Sequence, residues 1–310
     1  MPFTLRRRTL AILTLAAVMS APASAADKLP VTASFSILGD LVAVVGGDRV
    51  TVRSLVGPDE DAHVFEPRPA DARNLLQSRL LVINGMGFEP WASKLARSAG
   101  FKGETVVAST GVKPRAGAAD TTAGHGHGHG HAHDHADPHA WQNPNHVAQY
   151  VRNIAAGLSK VDPAGASTYA ANRDAYLGEL QALDAWIRTQ LAAIPVAKRK
   201  VITSHDAFGY FSAEYQVRFL AAQGVSTEGA PSAKAVGELV RQIKREKIRT
   251  VFVESMSDPR LVAQLGKDAG ASVGGSLYSD ALSPPGKPGS TYLQLMRHNV
   301  TQLVQGMQQN

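Results

Sequence analysis

The 310-residue chain contains no cysteine, which excludes a disulfide framework, a thiolate metal ligand and a lipid-bearing cysteine after a leader. Beyond residue 25 no apolar run approaches the roughly 20 residues of a membrane-spanning helix. A strong charge of either sign is also missing. The 32 Lys and Arg stand against 26 Asp and Glu, a net +6. With Arg6, Arg7 and Arg8 set aside as leader residues, 29 against 26 leaves +3, too little to argue for nucleic acid as a partner. No His-Glu-x-x-His pattern occurs, so the helix-borne signature of a zinc hydrolase is absent.

What is present begins with an export signal. Arg6, Arg7 and Arg8 precede the apolar run from Leu10 to Val18, and Ala23-Ser24-Ala25 offers small residues for cleavage. Residues 1–25 therefore read as a cleaved signal peptide that delivers the protein to the periplasm by general secretion. The remaining length suits two domains, each with its own core.

Hydrophobic patterning predicts strands at 31–35, 50–56, 80–84 and 105–108, alternating with helices at 37–45, 69–78 and 90–99. Composition then shifts to Gly, Ala, Asp, Thr and His, and residues 112–137 read as a flexible, largely disordered loop. A helix at 144–159 follows. From Asp162 to Ile194 the residues Tyr169, Tyr176, Leu180, Leu183 and Ile187 recur at helical spacing, which predicts a stiff linking helix about 45 Å long. The alternation then restarts, with strands at 200–204, 217–221, 250–253 and 272–277 and helices at 206–215, 231–247, 259–269 and 292–308. The expected organisation is an N-terminal α/β lobe over 26–161, a linking helix over 162–195 and a C-terminal α/β lobe over 196–310.

Ligands in open α/β sheets sit outside the carboxyl ends of the strands. His63, His205 and Asp280 each follow a strand, and His139 stands where order resumes after the low-complexity stretch, giving two residues per lobe. Three imidazoles and one carboxylate suit one divalent cation of borderline softness, and zinc accepts that tetrahedron without penalty. A manganese site is expected to replace imidazole with more oxygen.

His63-Val64-Phe65-Glu66-Pro67, Asp137-Pro138-His139-Ala140-Trp141 and Ser204-His205-Asp206-Ala207-Phe208-Gly209-Tyr210 resemble motifs of the metal-specific solute-binding proteins of bacterial ABC importers, cluster A-I. The resemblance covers essentially the whole mature chain. It implies two (β/α)4-type lobes joined by a long rigid helix, with Zn2+ held in the interlobe cleft by His63, His139, His205 and Asp280. It also implies no enzymatic activity and a partner permease in the inner membrane. Manganese-selecting members usually carry Glu where this chain has His205; a manganese or iron importer is the first alternative, and a zinc-dependent hydrolase the second. Three histidines with a late Asp are most similar to the zinc-binding component of AztABC-type importers; ZnuA-like proteins often carry a second-lobe disulfide that this chain cannot form. A monomer is expected, and a zinc chaperone that loads the site is neither shown nor excluded.

Around these ligands, Glu254 at the end of its strand is a candidate to accept the second N–H of a ligand imidazole. Glu66 is a second candidate, with capping of the following turn as its structural role. Asp206 reads as the first acidic residue of a helix, and His146 and His298 as structural or surface residues. His125, His127, His129, His131, His133 and His135, spaced by Gly, Ala and Asp, are expected to collect zinc weakly.

Overall fold

The structure, a computed structural model, describes residues 27–116 and 136–310. The expected signal peptide and the histidines from 125 to 135 lie outside them. No described helix is long and apolar enough to cross a membrane.

The N-terminal lobe is built from β1 (Leu29–Phe35), α1 (Ser36–Gly46), β2 (Val50–Val56), α2 (Pro69–Leu76), β3 (Leu80–Ile83), α3 (Pro90–Ala99) and β4 (Glu104–Val107). Its four strands are parallel in the order β2-β1-β3-β4. The apolar tetrad Leu80–Ile83 is buried at every position, as expected of a parallel strand covered on both faces. Proline at the first helical turn starts α2 and α3, where its missing N–H costs nothing.

Next come α4 (Pro144–Val161) and α5 (Ala166–Ala192). Asn143 begins α4 by accepting from the backbone N–H of Asn145. Helix α5 runs unbroken for 27 residues, about 40 Å. It buries Tyr169, Tyr176, Leu180, Leu183, Ile187 and Leu191, a stripe that packs against α1, α4 and the last helix of the chain.

The C-terminal lobe repeats the plan with β5 (Lys200–His205), α6 (Gly209–Tyr215), β6 (Arg218–Gln223), α7 (Ala233–Glu246), β7 (Thr250–Glu254), α8 (Pro259–Ala269), β8 (Ser272–Leu277) and α9 (Tyr292–Met307). Its strands are again parallel, in the matching order β6-β5-β7-β8. Neighbouring residues on one strand face opposite ways. Val201 and Phe252 accordingly join the main core, which extends through α4, α5, α9 and the first lobe, whereas Ile202 and Val251 join a separate small core under α7 and α8.

The elements follow the hydrophobic pattern to within a few residues at each end, with two exceptions. Residues 206–208 are not helical, because the N–H of Asp206 bonds the carbonyl of Gly224 and that of Ala207 bonds the carbonyl of His205. Asp206 thus precedes α6 and is not its first acidic residue. The loop expected over 112–137 is also narrower. Val112 is buried, Ala116 bridges Ala136 in antiparallel fashion, and Asp137 is 1% exposed.

Candidate metal centre

Each lobe presents the carboxyl ends of its strands to the other. His63 lies on the loop after β2, where its backbone N–H bonds Asp61 Oδ1 at 2.9 Å and the indole N–H of Trp91 bonds the carbonyl of Ala62 at 2.8 Å. Asp61 Oδ2 accepts from the Thr227 hydroxyl of the opposite lobe at 2.7 Å. His139 sits in the turn before α4. His205 is the last residue of β5, and Asp280 follows β8.

The four side chains meet. Asp280 Oδ2 lies 3.3 Å from His63 Nε2 and 3.1 Å from His205 Nε2, and Asp280 Oδ1 lies 3.6 Å from His139 Nε2. His63 Nε2 and His139 Nε2 are 3.3 Å apart. One ligand atom from each residue falls within 4.8 Å of all the others, and all four residues are buried. Donors held at about 2.0–2.1 Å around a tetrahedral ion are spaced by about 3.3 Å, so the cluster matches a coordination shell. Both Asp280 oxygens and both ring nitrogens of His205 lack a hydrogen bond of acceptable geometry, although buried polar atoms in folded proteins are nearly always paired.

Electrostatics fit a cation. Burial alone would depress the His139 pKa, but the charges of Asp280 and Asp137 outweigh it and raise it to about 9. Burial likewise opposes protonation of His205, and Glu254 with Asp280 overrides it, leaving this ring well above the ordinary imidazole value. Burial pushes Asp280 upward, yet the facing imidazoles hold it well below the usual carboxylate range. The pocket is thus organised around positive charge, which a metal ion can supply in place of protons.

Of the outer candidates, Glu254 lies beside His205, though without a hydrogen bond of acceptable geometry to its ring. Its Oε2 lies 2.5 Å from His205 Nδ1, and its Oε1 accepts from the backbone N–H groups of Ser204 and His205 at 2.8 and 3.0 Å. Glu66 is exposed, and the residue at the N-cap of α2 is Arg68. Sequence reasoning missed Asp137, whose Oδ1 accepts from His139 Nδ1 at 2.9 Å and from the His139 backbone N–H at 3.0 Å. It also missed the aromatic wall, in which Phe88 lies against His63 and Trp141 against His139, with ring centroids 4.8 and 5.1 Å apart. Behind that wall Glu89 is buried and accepts from the Ser34 hydroxyl at 2.8 Å and from the Asn84 N–H. The Asn84 amide in turn donates to the carbonyl of Pro138 at 3.0 Å. Burial raises Glu89 to about 7 against these hydrogen bonds. His146 lies edge-on to Tyr210 and His298 bonds the carbonyl of Ser276, both away from the cluster.

A two-lobed α/β protein with this buried His3Asp cluster belongs to the metal-binding components of ABC importers and is not an enzyme. The chain matches the family described as "Zinc-uptake complex component A periplasmic" over residues 31–306 and belongs to it. It is 30% identical to the manganese-binding lipoprotein MntA of Halalkalibacterium halodurans, covering 91% of this chain and 90% of that one. It is 31% identical to the iron-binding protein YfeA of Yersinia pestis, over 99% and 95% of the two chains. The periplasmic zinc-binding protein TroA of Treponema pallidum shares the fold, with a TM-score of 0.80 and 26% identity over 90% of this chain and 99% of that one. Three relatives thus carry the names of three metals. Membership in this class implies a membrane-embedded importer as partner.

Proposed function

We propose that the protein is a periplasmic zinc carrier that binds one Zn2+ through His63, His139, His205 and Asp280 and delivers it to the permease of an ABC importer. The observation that carries this reading is the convergence of four buried donor atoms at ion-shell spacing, with the Asp280 carboxylate otherwise unpaired. Zinc is favoured over manganese by the donor set. Among the described residues Asp280 is the one carboxylate on the ion side of the rings, while Asp137 and Glu254 stand on the Nδ1 side of His139 and His205. Manganese prefers an oxygen-rich octahedron, which those two groups are badly placed to supply. The second reading, a manganese or iron carrier, is favoured by the names of the sequence relatives.

Metal content and chelator competition on the mature protein, with manganese offered in excess over zinc, decide between them. One zinc per chain resistant to manganese, and weakened in Asp280→Ala, is expected; preference for manganese would replace zinc in the reading. Because His139, raised to about 9, holds a proton at neutral pH, loading should release it, and affinity should climb with pH until His139 titrates. Calorimetry in buffers of different ionisation heat measures this. The proposal extends to the histidines from 125 to 135 as a weak zinc collector. Deleting residues 124–135 is expected to slow zinc capture from a chelating donor while leaving the affinity of the cleft site unchanged.

A further inference from the structure

Asp137 is the hub of a small arrangement that reaches across both lobes. A carboxylate oxygen accepts, so the 2.9 Å contact with His139 Nδ1 places a hydrogen on that nitrogen. Once Nε2 gives up its own proton, its lone pair faces the other three ligands. A second bond, from the His139 backbone N–H to the same oxygen at 3.0 Å, fixes the turn and the ring together.

The position of Asp137 is itself set from the opposite lobe. The Tyr210 hydroxyl donates to the Asp137 carbonyl at 2.9 Å and accepts from the Arg115 N–H at 3.0 Å. The Asp137 N–H closes the loop by donating to the Arg115 carbonyl at 2.9 Å. Asp137 Oδ2 packs against the backbone of Gly209, where an added Cβ would lie 2.4 Å from that oxygen. Both holding residues come from the first turn of α6, a few residues after His205 along the same segment. Glu254, by contrast, supports His205 from within the same sheet.

We propose that Asp137 is a positioning residue for metal capture, and that it holds His139 in its ligating tautomer only while Gly209 and Tyr210 of the other lobe are in place. The inference rests on the four-ligand reading above. It ties two ligands to one segment: a displacement between His205 and Tyr210 would disturb His205 directly and His139 through Asp137.

The test combines zinc competition with ring-nitrogen NMR of His139 in the metal-free protein above pH 9, where the ring is neutral, for Asp137→Ala, Asp137→Asn, Tyr210→Phe and Asp280→Ala, with melting curves to confirm folding. Asp137→Ala is expected to raise the zinc Kd about 10- to 100-fold, the usual effect of losing the partner behind a ligand imidazole, and to mix the His139 tautomers. Asp137→Asn retains an accepting oxygen and should fall between alanine and wild type. Tyr210→Phe, which touches no ligand, should raise the Kd about tenfold, as for its two lost hydrogen bonds, with the same tautomer mixing. Wild-type affinity and a single tautomer in Asp137→Ala would overturn the positioning role. An unmoved tautomer in a folded Tyr210→Phe would overturn the cross-lobe control. If Asp280→Ala weakens zinc while the other variants bind normally, this inference alone falls; if Asp280→Ala also binds normally, the four-ligand reading falls with it.

Discussion

Both sheets have the same strand order and both end at the metal centre, but they are buried differently. The buried apolar residues of the N-terminal sheet all belong to the main core, which continues through α4, α5 and α9. The C-terminal sheet gives one face to that core and the other to a separate cluster of eight buried residues under α7 and α8. The segment bearing Asp280 belongs by its bonds to the first lobe. The Leu282 N–H donates to Ser36 Oγ at 2.9 Å, the Asp59 N–H to the Leu282 carbonyl at 2.9 Å, and Trp141 and Gln142 both to the Ser279 carbonyl. Helix α9 is tied in the same way, with the Tyr292 N–H donating to Asp40 on α1 at 2.8 Å. Two ligands per lobe is therefore true of the chain order but not of the mechanics. His63, His139 and Asp280 share one continuous body, and His205 stands on the strand where that body meets the separate small core. Independent opening is expected where few buried contacts tie a layer to the rest.

That contrast can be broken first at the ligands. Alanine at His205 or at Asp280 should each weaken zinc by more than the roughly 100-fold that bounds loss of an outer partner. His205→Ala should still hold zinc through the three remaining donors, and chelator competition will show whether Asp280→Ala is the weaker of the two. The cores sharpen it next. Leu158→Ala in the main core and Leu265→Ala in the small one each empty a fully buried site, at a cost of about 3 kcal/mol. Leu158→Ala should lower the melting of the whole chain, whereas Leu265→Ala should split off an early transition of α7 and α8, visible by hydrogen exchange.

A third expectation concerns pH. Burial gives Glu89 a folded pKa of about 7 against an ordinary value of 4.5. A carboxyl raised on folding contributes most below its unfolded pKa and loses that contribution as pH rises through the folded value. Relative to Glu89→Gln, the wild type should therefore lose up to about 3 kcal/mol of stability between pH 4.5 and 7, measurable by urea titration. The smallest effect is expected of Ser36→Ala, which removes the acceptor for Leu282 and should cost about 1 kcal/mol. If Asp280 is held from the first lobe, that change should also weaken zinc binding slightly.

Much of this was legible before any coordinates. His63, His205 and Asp280 were marked by their place after apolar strand runs, and the matched lobes by the repeated alternation around Tyr169–Ile187. Partnerships across sequence were harder to read. Glu254 was found because a carboxylate ending a strand points at the sheet edge. Asp137 stands two residues from His139, but its bond to that ring depends on a turn no periodicity describes. Asp206 looked like the start of a helix because its N–H gave no sign of being spent on Gly224. Nor can composition see that Val112 is buried or that Ala116 pairs with Ala136, so the boundary of the low-complexity stretch was drawn too wide.

The indole of Trp141 is fully buried and its ring centroid is 5.1 Å from that of His139, whereas Trp91 lies against Phe65 and Trp186 beneath Arg297. A metal ion that replaced a proton on His139 would alter the electric field at one tryptophan among three. On the proposed reading the protein would then carry its own optical probe of occupancy, and loading and release could be followed in real time on the unlabelled chain.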